Sequence, residues 1–380
     1  MIITSALDQD LYSFTVMQAV LHQHPGAMVE YLFRCRTPGV DFRPYFGEIV
    51  KNVNRFCNEV VFTKEDLEYL SGLRFMKKDF IEFLRVYRHN YDFIRMVCDD
   101  KGGLHISIEG PWLHTILFEV PILAIISEVY SREMSTNFEL ANQHTEEKMK
   151  YISTTEPKIQ FADFGTRRRH SLQAQRNAIL CAIRVAPKQF TGTSNVMLAR
   201  EYGVKAIGTM SHQWLQAHQA FYRLAESQVM ALDHWSREYR GDLGIALSDV
   251  IGLKAFIHDF DPFFAKLFDG VRQDSGDPFG FAAAMIEHYK RMRIDPKTKA
   301  VVFSDGLNFQ KAVDIAQAFG NKINCSFGIG THFTNDFDFP ALQMVIKMVK
   351  CNGNPVAKLS DTPAKGMCTD DAFVRYLRTV

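Results

Sequence analysis

The sequence predicts an α/β fold built on a parallel sheet, and three observations carry that prediction. From about residue 159 onward, short β-rich runs end in Gly, Ser, Thr, Asp or Asn. Helical stretches usually follow them, the alternation that crossover helices on a parallel sheet produce. There are eight such runs, which suggests a closed barrel, with an open doubly wound sheet as the alternative. The first ~110 residues show no such rhythm and mix both element types.

Taken in order, residues 8–22 predict a helix and Met28–Cys35 a strand. Lys64–Leu84 reads as helical, with Asp66 near its start, and His105–Glu109 alternates like a strand. Pro111–Tyr130 is the most apolar stretch, but Glu119, Pro121 and Glu128 interrupt it. It therefore falls short of the roughly 20 apolar residues that span a bilayer and reads as buried core. The eight β-rich runs are Ile159–Asp163, Lys188–Thr191, Val204–Thr209, Leu243–Asp249, Leu267–Gln273, Ala300–Ser304, Ile323–Gly328 and Leu342–Val349. Helical patterns fall at Ser171–Ile183, Val196–Tyr202, Gln213–His234, Phe279–Arg291 and Phe309–Phe319.

Composition narrows the function classes. A chain of 380 residues suggests two or three domains, and 47% apolar with 23% charged residues is ordinary for a globular protein. The 31 phenylalanines favour a large aromatic-rich core. Lys plus Arg number 44 against 43 for Asp plus Glu, and that near-neutral balance argues against a broad nucleic-acid surface. Seven scattered cysteines form no CxxC pair, so they read as reduced thiols of a cytosolic protein. Met1–Asp10 lacks the basic start of a secretory signal.

In a barrel, chemistry sits on the loops after the strands. After the first run, Asp163–His170 carries Arg167, Arg168 and Arg169 beside Gly165 and just before a helix. Guanidinium groups grip phosphate oxygens in pairs, although a solvated basic turn is the plainer reading. After the second run, Thr191-Gly192-Thr193-Ser194-Asn195 lets backbone approach a ligand; a helix cap by Ser194 or Asn195 explains most of it. The third run leads into Gly208–Trp214 with His212, a candidate acid, base or nucleophile. His218 and the His22/His24 pair complete no metal spacing such as HExxH, and no residue is assigned as a metal ligand. The fifth and sixth runs end in Arg272-Gln273-Asp274-Ser275-Gly276-Asp277 and Ser304-Asp305-Gly306. Their carboxylates suit sugar hydroxyls or Mg²⁺ held by a substrate's phosphates. The seventh ends in Gly328-Ile329-Gly330-Thr331, a phosphate-type turn but no dinucleotide fingerprint. The set fits a phosphorylated sugar better than a hydrophobic cofactor, with no Walker A motif and no Ser–His–Asp signature.

These residues also carry a family resemblance. Nine segments stand in one order: Asp10–Thr15, Phe33–Arg36, Phe164–Arg169, Gly192–Asn195, Gly208–His212, Arg272–Pro278, Ser304–Asn308, Gly328–Thr331 and Lys358–Asp361. Over essentially the whole chain the sequence resembles the nicotinate phosphoribosyltransferases. The resemblance implies an irregular TIM-like α/β barrel (residues 111–350) with an N-terminal α+β domain (1–110) completed by a C-terminal segment (351–380). It implies transfer of phosphoribose from 5-phosphoribosyl-1-pyrophosphate to nicotinate, with Mg²⁺. Nicotinate mononucleotide and pyrophosphate are the products, in the first step of NAD synthesis from nicotinate. ATP hydrolysis is coupled through a transient phosphohistidine, which matches His212.

By the same resemblance, Tyr12 and Phe164 sandwich the pyridine ring, with Tyr12 supplied across a homodimer. Arg167 pairs with the nicotinate carboxylate, and Arg272 and Asp274 flank the ribose and diphosphate. Ser304, Asp305, Gly328 and Gly330 line the 5′-phosphate pocket, and Thr193 and Thr331 are further substrate-binding candidates. Arg34, Arg36 and Lys358 are weaker candidates for phosphate contacts. Ser194 stands where nicotinamide-specific relatives carry Asp, and a hydroxyl there favours the acid over the amide. The family leads us to expect a longer tail than one ending at Val380. Rival readings are a nicotinamide or quinolinate enzyme, a sugar-phosphate aldolase, for which no strand end offers a plain Schiff-base lysine, and a non-catalytic RNA-binding protein. The expected partners are small molecules, with no nucleic acid and no membrane.

Overall fold

The computed structural model describes residues 1–362 and 366–380. Its strands are β1 (Met28–Cys35), β2 (Ile94–Cys98), β3 (Leu104–Pro111), β4 (Phe161–Asp163), β5 (Phe190–Thr193), β6 (Ile245–Leu247), β7 (Gly270–Gln273), β8 (Ala300–Phe303), β9 (Asn324–Ile329), β10 (Met344–Cys351) and β11 (Asn354–Pro355). They form two sheets. One is five-stranded and antiparallel, in the order β11-β10-β1-β3-β2. The other is six-stranded and parallel, in the order β5-β4-β9-β8-β7-β6.

In β1 the side chains of Val29, Tyr31 and Phe33 are buried and alternate with more accessible neighbours, the period-two pattern of a sheet packed on one face. Beside it, β10 is buried almost continuously, interrupted at Lys347 and Lys350. That apolar run looked like an eighth barrel strand. It pairs antiparallel with β1 instead, from Val29 opposite Cys351 to Cys35 opposite Met344. A strand buried on both faces reads the same in either sheet. The chain thus returns to the N-terminal sheet at Met344, ahead of the expected 351.

The barrel is correspondingly irregular. Val204–Thr209, expected as a strand, makes only a parallel bridge between Thr193 and Ala206. Its far end is tied to β6 by Thr209 Oγ1, which donates to the Ile245 carbonyl at 3.2 Å. This segment closes the gap between β5 and β6. The close approach explains Gly192, at φ +143°, where a Cβ would lie 2.1 Å from the Lys205 carbonyl oxygen.

Other boundaries moved for local reasons. Leu267–Gln273 begins as a helix, Pro262–Leu267, because Asp261 caps it and Pro262 opens it. Lys64–Leu84 breaks at Gly72 into Lys64–Ser71 and Lys78–Val86, the first opened by a capping box between Thr63 and Asp66. Gln213–His234 is likewise two helices, His212–Phe221 and Ser227–Tyr239. The apolar stretch is a helical run, Trp112–Met134, long and apolar enough to cross a membrane, but 89% of its most apolar window is buried inside the protein. It packs among the core residues, as expected.

Candidate active site

At the C-terminal ends of the parallel strands lies a cavity of about 490 Å³. Arg36, Phe164, Arg168, Lys347 and Lys358 are among its walls. A smaller chamber of about 60 Å³ adjoins it, reaching Tyr12, Tyr31 and Glu119. Arg167, His212, Arg272 and Lys347 line both.

Arg272 leaves β7 and is fixed on two sides. Its Nε donates to Ser304 Oγ at 2.8 Å and its Nη2 to Asp274 Oδ1 at 2.8 Å. The guanidinium carbon sits 5.5 Å over the Phe164 ring. Phe164 in turn rests on Gly328, where a Cβ would come within 2.2 Å of its ring. Gly328 is therefore a seat for Phe164 and lines neither chamber, whereas Gly330 and Thr331 do line the larger one.

His212 opens the helix His212–Phe221. Its Nε2 lies 2.9 Å from Asp249 Oδ1 and 3.4 Å from Asp274 Oδ2. Two carboxylates at Nε2 favour the proton there, leaving the Nδ1 lone pair. Burial, with Lys358 beside it, pulls the imidazole pKa down to about 4 against the pull of both aspartates. Lys358, buried, bridges Asp249 at 2.7 Å and Asp274 at 3.4 Å. Burial alone would raise Asp274, but Arg272, Lys358 and His212 outweigh it and hold the carboxyl well below its usual range.

The three consecutive arginines diverge. Arg167 reaches the small chamber, pairing with Glu119 at 3.0 Å and lying 5.8 Å over the Tyr12 ring. Arg168 reaches the large one and donates to the Met344 carbonyl at 3.1 Å. Arg169 is wholly buried and bidentate on Asp8, at 2.8 and 2.7 Å, so it grips no ligand. Arg34 is exposed and lines neither chamber, unlike Arg36. Tyr12 lines the small chamber of its own chain. Its hydroxyl donates to Glu119 at 3.3 Å.

The loop after β5 contributes less directly than expected. Thr193 is buried and its hydroxyl donates to Asp163 at 2.7 Å. Asn195, not Ser194, caps the helix Val196–Tyr202. Ser194 donates to Asp10 Oδ1 at 2.7 Å, and Asp10 Oδ2 lies 3.8 Å from Arg167 Nε. Ser194 lines neither chamber and reaches Arg167 only through Asp10.

Three residues of the site escaped sequence reasoning: Glu119 and Lys347 line the chambers, and Asp249 stands behind His212 and Lys358. Glu119 was read as an interruption of an apolar core stretch, yet a carboxylate in such a run was itself a signal. Asp249 ends the fourth β-rich run, the strand end left unread. Lys347 was hidden in the misassigned β10. Burial, with Lys358 and Arg36 nearby, drops the Lys347 ammonium pKa to about 7, as desolvation and neighbouring like charges do to a cation.

A parallel barrel with arginines, lysines, a serine and paired carboxylates at its strand ends defines an enzyme for phosphorylated sugars. Residues 159–380 match the Nicotinate phosphoribosyltransferase (NAPRTase) family, and residues 7–127 match that family's N-terminal domain. The chain belongs to the nicotinate phosphoribosyltransferase family. It is 50% identical to the nicotinate phosphoribosyltransferase of Xanthomonas campestris pv. campestris (strain 8004), over all of this chain and 96% of that one. The Cupriavidus necator enzyme of the same name is 50% identical, over all of this chain and 98% of that one. Among solved structures, nicotinate phosphoribosyltransferase from Vibrio cholerae superposes with a TM-score of 0.95 at 36% identity, over all of this chain and 94% of that one. The Porphyromonas gingivalis enzyme superposes at 0.94 with 33% identity, over all of this chain and 99% of that one.

Proposed function

We propose that this chain joins nicotinate to the ribose of 5-phosphoribosyl-1-pyrophosphate at the barrel mouth, with ATP hydrolysis coupled through His212. The observation that carries the reading is the convergence of Arg36, Arg168, Arg272, Lys347 and Lys358 on one cavity at the strand ends. The pyridine nitrogen lone pair attacks C1, and the C1–O bond breaks with its electrons leaving on pyrophosphate. Little proton transfer is needed, so placement and charge stabilisation carry the work. Tyr12 and Phe164 flank the ring, and Arg167 receives the carboxylate, shared with or released from Glu119. Arg272 and Asp274 face the ribose and diphosphate. Ser304, Asp305, Gly330 and Thr331 surround the 5′-phosphate.

Mg²⁺ supplies charge neutralisation on the diphosphate that carries it. Asp274 and Asp305, the lining carboxylates, would accept from its waters. In the ATP half, Nδ1 of His212 attacks the γ-phosphorus, ADP leaves, and water later cleaves the P–N bond. Seven free cysteines support a reducing, cytosolic location. The test is pyrophosphate release from 5-phosphoribosyl-1-pyrophosphate. The reading requires release that depends on both nicotinate and Mg²⁺; release indifferent to nicotinate overturns it.

Two substitutions probe the assignments. Arg272→Ala should weaken 5-phosphoribosyl-1-pyrophosphate use roughly 10- to 150-fold, the effect of losing about 1.5–3 kcal/mol in a charge-assisted contact. A rise confined to the nicotinate KM contradicts that role. Ser194→Ala should raise the nicotinate KM several-fold, because Asp10 loses the donor that orients it toward Arg167, and should spare the diphosphate KM. Ser194→Asp would instead set two carboxylates together in a buried place, so Ala is the substitution used. An unchanged nicotinate KM in Ser194→Ala makes Ser194 a strut only.

A further inference from the structure

Three histidines that line neither chamber meet where the N-terminal helix crosses two barrel helices. His24 follows the helix Leu11–Gln23, His218 lies on His212–Phe221, and His234 lies on Ser227–Tyr239. One ring nitrogen of each lies within 4.8 Å of the other two. Ring centroids are 5.2 Å apart for His24–His218, 5.2 Å for His218–His234 and 5.7 Å for His24–His234. Three imidazoles bound tetrahedrally at about 2.0–2.1 Å would put nitrogens roughly 3.3–3.4 Å apart and centroids about 5 Å apart. His218 Nε2 and His234 Nδ1 are 3.2 Å apart.

The outer contacts point the same way. His218 Nδ1 donates to the Trp214 carbonyl at 2.7 Å, which leaves its Nε2 lone pair facing the cluster. His234 Nε2 lies 3.3 Å from the Tyr222 hydroxyl on the far side of the ring. Such contacts fix the tautomers of metal-binding histidines. His24 Nε2 is buried with no hydrogen-bond partner. Phe221 stacks on His24 at 4.2 Å, and Trp112 and Trp214 stand nearby, so the surroundings are apolar.

We propose that His24, His218 and His234 form a binding site for a zinc-class divalent ion, with one coordination position left for water. The donor set of neutral imidazoles selects such an ion over Mg²⁺, which takes oxygen ligands. Burial keeps the rings neutral at ordinary pH, His24 being drawn down to about 4. The ion pins three helices at one point, and one of them carries His212 at its other end. Neighbour spacing in the sequence could not reveal the site, because the ligands come from three helices.

The test is titration of chelator-stripped full-length protein with ZnCl₂ in excess Mg²⁺, by calorimetry, with CoCl₂ as the spectroscopic probe. We expect one Zn²⁺ per chain and an intense tetrahedral Co²⁺ spectrum. Uptake should vanish in His24→Gln and His234→Gln and persist in His22→Gln. His212, Asp249 and Asp274 form the other group with ligand spacing among the described residues, so His212→Asn should also keep uptake. No stoichiometric uptake by the wild-type protein, a pale octahedral Co²⁺ spectrum, or uptake lost only in His212→Asn overturns the site. The wild-type readings decide even if a histidine variant misfolds.

Discussion

His212→Asn is expected to take up no phosphate from ATP and to show no stimulation by ATP, while slow ATP-independent turnover remains. The imidazole is held by Asp249 and Asp274 at Nε2, so Nδ1 is the nitrogen with a lone pair to offer. Phosphorylation there would add about −1.5 to −2 charge beside a ring of cations. That places new acceptors within reach of Lys347, Lys358 and Arg272 and gives ATP a means of tightening the diphosphate site. Asn keeps a donor for Asp249 but has no nucleophilic nitrogen. Unchanged ATP stimulation in this variant would remove His212 from the ATP half-reaction.

The same imidazole gives a pH signature. An ordinary histidine, with a pKa near 6.5, loses about ten-fold of its neutral form between about pH 7.5 and 5.5. With the pKa lowered to about 4, His212 stays neutral and nucleophilic throughout that window. Initial labelling by ATP should therefore stay nearly level across it. A ten-fold fall centred near pH 6.5 would show an imidazole exposed to water.

Arg169→Met is expected to lose about 3–5 kcal/mol of stability, because it strands the carboxylate of Asp8 in the core. Both side chains are fully buried, and Asp8 also accepts from Asn195 Nδ2 at 2.7 Å. The network ties the N-terminal segment to the loops after β4 and β5. The midpoint of urea unfolding measures the loss. The double variant Asp8→Leu/Arg169→Met should recover much of it, since no lone charge is then buried. A single variant as stable as the parent would mean that Asp8 is solvated after all.

Much of this arrangement was legible in the sequence. Turn-forming residues after short apolar runs located β4 and β7–β9; β7 carries Arg272, and the loops after these strands carry Phe164, Asp274, Ser304 and Gly330. What stayed hidden depended on contacts between distant parts of the chain. The β10 run carries the apolar signature of any central strand, and its partner β1 lies more than 300 positions away. Nothing local distinguishes Arg167, Arg168 and Arg169. Glu119, the Met344 carbonyl and Asp8 decide which of them faces a ligand. Ser194 has the small polar side chain expected of a contact or a cap, and Asp10 claims it for neither.

The central claim is the identity of the acceptor. The direct measurement supplies 5-phosphoribosyl-1-pyrophosphate and Mg²⁺ with nicotinate, nicotinamide or quinolinate, each with and without ATP, and identifies the mononucleotide formed. The proposed roles of Tyr12 and Phe164 on the ring and of Arg167 on the carboxylate predict nicotinate mononucleotide as the dominant product, faster with ATP. Equal or greater product from nicotinamide, or product only from quinolinate, would contradict the account.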